Sequence, residues 1–354
     1  MLTPAAVDRA VARMLRGEEG LWLADGAPPV GWRGDGAVVQ TSGSAGASKH
    51  VVLSRRALVA AAEATTCWLG GAATWHLALA PRYVAGLMVL VRGRLGAGLR
   101  FASSGLSDLD PTPGPNAISV VPTQLYRAVR HPGTAAMLAR FDAVLVGGAA
   151  LAPELRARAE ERGIRVVETY GMSETCGGIV YDGHPLPGAT VRTVPDDRAP
   201  RGYGRVVLGG PTLFDGYLGE PDLTAEVLVD GGLHTGDWGR VERGSLVVGG
   251  RLDDVVVTGG VNIDVALVRA AAARLDPDTD VIAVPDDEWG ARIVLAATAG
   301  DLASWRERLG AELPRPALPR QLLVLPALPR TAGGKPDRAT LRRLARESAG
   351  PNAK

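Results

Sequence analysis

The chain has 354 residues, 46% of them hydrophobic, and its acids and bases balance to a net charge of +1. That length exceeds what one core usually organises, so two domains are expected, and the balanced charge leaves no electrostatic footprint for nucleic acid or an anionic membrane. Two cysteines, Cys67 and Cys176, suit a reducing compartment better than a disulfide scaffold, so a soluble cytoplasmic protein with small-molecule partners is expected, homodimer formation being left open.

Residues 4–16 read as a short amphipathic helix. Strands are predicted at 37–40 and 51–54, on either side of the run Thr41-Ser42-Gly43-Ser44-Ala45-Gly46-Ala47-Ser48-Lys49, which makes that run a hairpin-like bend. Ser54 then caps a helix to about Leu69. The apolar run Val84–Val91 falls far short of the roughly twenty residues a membrane-spanning helix needs, and the N-terminus lacks a basic-then-apolar signal pattern. Apolar runs at 75–80, 117–121, 143–146 and 165–169 alternate with helical patterns such as 122–130 and 152–162, the signature of a doubly wound α/β sheet.

From about Pro185 the texture changes to short glycine-rich strands, at 203–208, 233–234, 239–242 and 246–248, which predict a β-rich subdomain. Arg251–Asp254 separates this large unit, residues 1–250, from a smaller one, residues 251–354. The smaller unit reads as strand 255–257, glycine turn Gly259-Gly260, helix 264–275, strands 281–284 and 293–297, helix 302–313 and strand 321–325. The predicted fold class is therefore α/β: a large N-terminal domain with mostly parallel sheets flanked by helices plus a β-rich subdomain, followed by a small mobile C-terminal α+β domain.

Of 39 basic residues only three are lysine: Lys49, Lys335 and the terminal Lys354. An ammonium is a compact point charge that can follow a single oxygen, whereas guanidinium is a planar fork, so a lysine kept in an arginine-rich chain suggests a phosphate site. Lys49 closes the Thr41–Lys49 run, whose hydroxyls and glycines can present donors and open amides to an anion. Its spacing, Gly43-x-x-Gly46-x-x-Lys49, is not that of a Walker loop. Lys335 sits in the glycine-rich loop Thr331-Ala332-Gly333-Gly334-Lys335.

Three further runs bear chemistry. Strand 166–169 runs into Tyr170-Gly171-Met172-Ser173-Glu174-Thr175, which puts a ring for stacking, a hydroxyl for phosphate and a carboxylate for a divalent cation side by side at a sheet edge. Upstream, Gly147-Gly148-Ala149-Ala150 are small enough for a flat base to approach the backbone. Asp237 follows a glycine and can accept from two ribose hydroxyls, and Arg251 with Asp253 stands at the domain boundary. Taken singly, each of these runs also reads as an ordinary turn or polar loop.

In order and spacing the runs resemble the signature motifs of the adenylate-forming acyl-CoA synthetase superfamily, from about Val38 to Arg343. The resemblance implies that Thr41, Ser42, Gly43, Ser44, Gly46 and Lys49 lie over the ATP β- and γ-phosphates, and that Gly147, Gly148, Ala149, Ala150 and Tyr170 form the adenine slot, with Gly171 and Met172 also in the nucleotide site. It implies that Ser173 or Thr175 meets the α-phosphate, that Glu174 holds Mg²⁺, and that Asp237 and Arg251 bind ribose. Asp253 would be the hinge and Lys335 the catalytic lysine, with Glu174, Arg251 and Lys49 sharing the catalytic charge. CoA is the implied co-substrate, and the two domains would alternate between an adenylating and a thiol-transferring arrangement.

The substrate-side run is Ala80-Pro81-Arg82-Tyr83-Val84-Ala85-Gly86, with arginine and tyrosine where the family commonly has a histidine. With the short stretch before the Thr41–Lys49 loop, it resembles the o-succinylbenzoate:CoA ligases of actinobacterial menaquinone synthesis. That acid is a dianion, so Arg82, with Tyr83 and Gly86 beside it, is expected to anchor the carboxylate that does not react. Ala45 and Ser48 depart from the family's usual threonine and proline. Another aryl- or acyl-CoA ligase, a stand-alone carrier-protein adenylase, and a nucleotide-binding homologue without turnover are the competing readings. The five histidines lack metal-ligand spacing, and Cys176 reads as a small buried thiol.

Overall fold

The computed structural model describes residues 3–41, 49–330 and 336–348. The chain divides into two compact units, one of Met1–Arg192, Val207–His234 and Val241–Val247, the other of Thr193–Val206, Thr235–Arg240 and Val248–Lys354. Neither unit is a single stretch of chain.

Helix α1 (Pro4–Leu15) starts at Thr3, whose hydroxyl accepts from the Ala6 amide, with Pro4 in the first turn where no amide is needed. Strand β1 (Leu21–Trp22) lies parallel to β2 (Ala37–Thr41), and β2 turns back antiparallel into β3 (Lys49–Leu53). The expected hairpin is present. Ser54 caps α2 (Arg55–Trp68) through the Ala57 amide.

The predicted alternation follows: β4 (Thr74–Leu77), α3 (Val84–Leu95), β5 (Gly98–Phe101), β6 (Asn116–Val120), α4 (Pro122–Val129), α5 (Pro132–Leu138), β7 (Ala143–Val146), α6 (Pro153–Glu160) and β8 (Val166–Met172). Strand β5 and helix α5 are additions to what the sequence pattern predicted. Strands β9 (Gly177–Tyr181) and β10 (His184–Pro185) complete a seven-stranded sheet of order β10-β9-β8-β7-β6-β4-β5, parallel from β8 to β5 and antiparallel at β9 and β10. One face packs a core in which Ile118, Leu125, Leu138, Phe141, Val144 and Val146 are all buried. Val84–Val91, read from sequence only as an apolar run, begins α3, and the stretch from Gly86 to Gly93 is buried.

The chain continues through β11 (Thr190–Val194), β12 (Gly204–Gly209), β13 (Gly216–Tyr217), α7 (Pro221–Val227), β14 (Leu228–Val229), β15 (Gly232–Glu242) and β16 (Ser245–Arg251). This is the expected β-rich region: β11, β12, β15 and β14 form one sheet with β16 on β15, while β13 joins β3 at the edge of the first sheet.

In the second unit β17 (Val255–Thr258) and β18 (Val261–Asp264) make a hairpin around Gly259 and Gly260, both at positive φ. Sequence reading found the turn and missed β18. Helix α8 (Val265–Leu275) is capped by Asp264 through the Ala266 amide. Strands β19 (Thr279–Asp286) and β20 (Gly290–Ala297) pair antiparallel, α9 (Leu302–Gly310) follows, and β21 (Gln321–Val324) lies parallel to β20. Helix α10 (Arg338–Glu347), not predicted, buries Leu341 and Ala345. One core packs α8 and α9 on this sheet and another packs α10 on it. Among the described residues no helix is long and apolar enough to cross a membrane.

Candidate active site

Because β4, β7 and β8 run parallel in one sheet, the chain leaves all three at the same carboxyl edge. Arg82–Gly86 follows β4, Gly147–Ala149 follows β7, and the Tyr170–Thr175 run ends β8. The strand order also reverses at β4, whose neighbours are β5 on one side and β6 on the other; such a switch point, outside the carboxyl ends, is where open α/β sheets take ligands.

Local sequence shapes each exit. A Cβ at Gly147 would lie 2.4 Å from the Thr169 hydroxyl, which donates to the Val146 carbonyl at 3.3 Å, so only glycine lets β7 leave this close to β8. Gly148 turns at φ +80° and is exposed, as is Ala149. Gly86 is buried against the Ala80 carbonyl, 2.4 Å from where its Cβ would sit, which brings the first turn of α3 onto the Ala80–Pro81 turn. Tyr83 precedes α3 and is exposed. Arg82, predicted to await an anion, is ion-paired: Nη2 lies 3.2 Å from Asp25 Oδ1.

At the end of β8, Tyr170, Met172, Ser173 and Glu174 are half-buried. Gly171 passes under β9, where a Cβ would meet the Gly177 carbonyl at 2.1 Å. Thr175 is wholly buried, and its hydroxyl accepts from the Met172 amide at 2.9 Å while lying 2.7 Å from the Gly177 carbonyl. Its side chain therefore braces the turn, and Ser173 is the more accessible of the two hydroxyls expected near an α-phosphate. Cys176 follows at φ +54°, fully buried, with its thiol pushed up by burial.

In the hairpin Thr41 stands opposite Lys49 in the β2–β3 register. Ser42, Gly43, Ser44 and Gly46 lie outside the described residues. The Lys49 ammonium is 4.8 Å from the centroid of the Tyr217 ring, and the Tyr217 hydroxyl donates to Glu174 Oε1 at 2.8 Å. Burial, followed by the charge of Glu174, pushes the Tyr217 phenol up, so it remains a donor at neutral pH. Sequence reading missed Tyr217 entirely.

The second unit holds the remaining candidates. Asp237, buried on β15, lies 3.4 Å from Arg251 at the end of β16, and Arg251 Nη2 donates to Asp253 Oδ2 at 2.8 Å. Burial works against the charge of Arg251, but Asp253 and Asp237 outweigh it and hold the guanidinium above its ordinary value. A Cβ at Gly236 would lie 2.9 Å from Arg251 Nη2. The proposed ribose ligands and hinge residue are thus one cluster. Lys335 lies outside the described residues; on either side of it, Arg330 bridges to Pro336 and the Asp337 amide donates to the Pro329 carbonyl at 2.8 Å.

No group of three or more His, Cys, Asp or Glu that could hold a metal occurs among the described residues. A lone carboxylate does suit Mg²⁺, which keeps most of its waters and takes one or two carboxylates together with substrate phosphates. Glu174 fits that pattern, since Oε2 takes no hydrogen bond among the described residues while Oε1 is held by Tyr217.

Residues 17–218 match the model of the AMP-binding enzyme family. A probable 2-succinylbenzoate–CoA ligase of Mycobacterium tuberculosis is 39% identical over 338 residues, covering 88% of this chain and 85% of the relative. A 2-succinylbenzoate–CoA ligase of Enterococcus faecalis is 29% identical over 329 residues, covering 84% and 67%. Among solved structures, the o-succinylbenzoate CoA synthetase of Bacillus subtilis in complex with its acyl-adenylate intermediate shares the fold, with a TM-score of 0.74 at 23% identity, over 86% of this chain and 68% of that one.

Proposed function

The chain belongs to the AMP-binding enzyme family, and from that premise we propose that it joins 2-succinylbenzoate to coenzyme A through an acyl-adenylate. ATP and the acid give acyl-adenylate and pyrophosphate; the CoA thiol then attacks the acyl carbon, the bond to the phosphate oxygen breaks, and AMP leaves. The supporting observation is the common exit edge of β4, β7 and β8, which gathers an arginine-bearing run, a small-residue run and an aromatic–hydroxyl–carboxylate run.

In this reading Thr41, Ser42, Gly43, Ser44, Gly46 and Lys49 take the β- and γ-phosphates, and Gly147, Gly148, Ala149, Ala150 and Tyr170 take the adenine, with Gly171 and Met172 beside the nucleotide. Ser173, with the Thr175-braced turn, meets the α-phosphate; Asp237 and Arg251 take the ribose. Residues 1–250 bind ATP and the acid, and residues 251–354 carry Lys335 about the hinge at Asp253. Glu174 would hold Mg²⁺, which offsets phosphate charge when bound.

The physical demand is electrostatic. A carboxylate attacking the α-phosphorus brings two anions together, and fixed cations aimed at the developing charge lower that barrier. At about 4 Å and an effective dielectric near 20, one cation contributes on the order of 4 kcal/mol before desolvation. Lys335 supplies such a charge for adenylation. Arg82 and Tyr83, with Gly86 shaping their turn, hold the benzoate carboxylate and leave the succinyl carboxylate to react. ATP and CoA are cytoplasmic metabolites, and the enzyme works there.

The test is CoA-dependent AMP release with a panel of aliphatic, aryl and dicarboxylic acids. Release with 2-succinylbenzoate far above the others is the expected result. Indifference to it, with turnover of another acid, overturns the substrate; no AMP release with any acid overturns the ligase reading.

A further inference from the structure

Residues Phe214 to Leu218 carry none of the roles assigned above, yet they join two parts of the site. Strand β13 pairs with β3, Tyr217 opposite Val51 and Gly216 opposite Val52. The pairing is extended by the Asp215 amide on the Val52 carbonyl and the Leu218 amide on the His50 carbonyl, each at 2.9 Å. From the same run the Phe214 amide donates to the Glu174 carbonyl at 2.9 Å. The strand leaving the phosphate loop and the turn bearing the candidate metal carboxylate are thus tied to one short segment.

Tyr217 is the side chain that reaches both. Its ring is nearly buried, at 7% exposure, with the edge of Phe214 against it at 4.9 Å between centroids. Its backbone is pinned by the Tyr217 amide on the Thr224 hydroxyl at 2.8 Å, and a Cβ at Gly216 would strike Thr224 at 2.8 Å. A ring fixed this way presents its hydroxyl to Glu174 Oε1 at 2.8 Å and a face to the Lys49 ammonium at 4.8 Å. Such a face attracts a cation by its quadrupole.

We propose that Tyr217 is a positioning residue for the cation-and-phosphate end of the site. Its hydroxyl commits one oxygen of Glu174 and leaves the other for the divalent cation that accompanies ATP, while its ring steadies Lys49 until phosphate oxygens compete for the ammonium. This rests on the assignment of Glu174 to the metal. A carboxylate without that hydroxyl is free to rotate, and each encounter with a metal then costs the ordering that Tyr217 supplies in advance.

The experiment is calorimetric titration of the full-length protein with ATP, with and without Mg²⁺, alongside Mn²⁺ binding in the presence of ATP followed by electron paramagnetic resonance. Tyr217→Phe keeps the ring and removes one hydrogen bond to a charged group, so the Mg²⁺ or Mn²⁺ concentration for half-effect rises about tenfold, while metal-free ATP affinity stays within about twofold. Tyr217→Leu additionally weakens metal-free ATP binding, because Lys49 loses its support. Unchanged metal dependence in Tyr217→Phe overturns the proposal. So does an equal loss with and without metal, the mark of general structural support. Glu174→Gln separates the two levels: if it abolishes metal dependence while Tyr217→Phe leaves it intact, only the role of Tyr217 fails, and if it changes nothing the metal assignment fails with it.

Discussion

The guanidinium of Arg82 is ion-paired with Asp25, its Nη2 lying 3.2 and 3.3 Å from the two carboxylate oxygens, and it stacks 5.2 Å from the centroid of Tyr83. The cation expected to receive a substrate carboxylate is therefore already neutralised by the protein. Both partners are substantially exposed, 36% for Arg82 and 72% for Asp25, and exposed pairs contribute only about 0 to 1 kcal/mol. An incoming dianion can displace Asp25 at little cost.

Arg82→Ala is expected to raise the KM for 2-succinylbenzoate between about tenfold and a hundredfold, the loss of a hydrogen bond to a charged group being roughly 1.5–3 kcal/mol. The KM for ATP should stay put. Asp25→Asn removes the internal competitor and should lower the KM for the dianion. Steady-state kinetics on matched mono- and dicarboxylic acids decide: equal effects of Arg82→Ala on both kinds would detach the residue from specificity.

Lys335→Ala should cut acyl-adenylate formation by about a thousandfold, the loss of roughly 4 kcal/mol of charge stabilisation, while ATP binding survives. In the alternation that the resemblance implies, the lysine is withdrawn for the second step, so thioester formation from supplied acyl-adenylate should be largely spared. Pyrophosphate release and single-turnover thioester formation measure the two halves separately. Full pyrophosphate release by the variant would end the assignment.

What the sequence showed best was what local pattern encodes. The β2–β3 hairpin, strands β4, β6, β7 and β8 with helices α4 and α6, and the Ser54 cap were all legible from period and capping chemistry. Helix α3 was not, because a helix buried on nearly all sides has no amphipathic period to read. Strand β18 was hidden by the polar Asn262 and Asp264 within it, and α10 by the narrowness of its buried stripe, Leu341 and Ala345. Tyr217 and Asp25 escaped for a different reason: each meets its partner far along the chain, at Glu174 and Arg82, and contacts at that separation leave no spacing behind.

Asp196 gives a pH-dependent test within the second unit. It accepts from Arg198 and Arg205, and Arg205 also donates to the Thr235 carbonyl at 2.7 Å. The Arg198 hydrogen bond, with Arg205 supporting it against partial burial, holds the carboxyl down at about 2 rather than its ordinary 3.8. A depressed carboxyl stabilises the fold above its unfolded value and loses that contribution as pH falls through its folded value. Thermal unfolding of wild type and Asp196→Asn should therefore differ by a constant amount above about pH 5, and the gap should close as pH approaches about 2. A gap that persists unchanged down to that pH would show that the ion pairs are not its source.

Asp280 carries the sharpest stability prediction. Only 1% exposed on β19, its carboxylate takes Arg269 Nε at 2.9 Å on one oxygen and Arg338 Nε at 3.0 Å on the other, and it also accepts from the Val281 amide at 2.8 Å. Arg269 reaches on to Asp254 at 3.2 Å, so one buried anion links the 252–254 turn, α8 and the first residue of α10. Removing it leaves the half-buried Arg269 without its central partner, and breaking a buried ion pair from one side costs about 3–5 kcal/mol. Asp280→Ala should show that loss in denaturant unfolding of the full chain. Asp280→Asn keeps the shape and some hydrogen bonding but loses the charge, and should fall between the two. Because the penalty comes from stranded charge, adding Arg269→Met to Asp280→Ala should recover part of the stability; a double variant weaker than the single one would show that packing, not charge, holds α8 and α10 to the sheet.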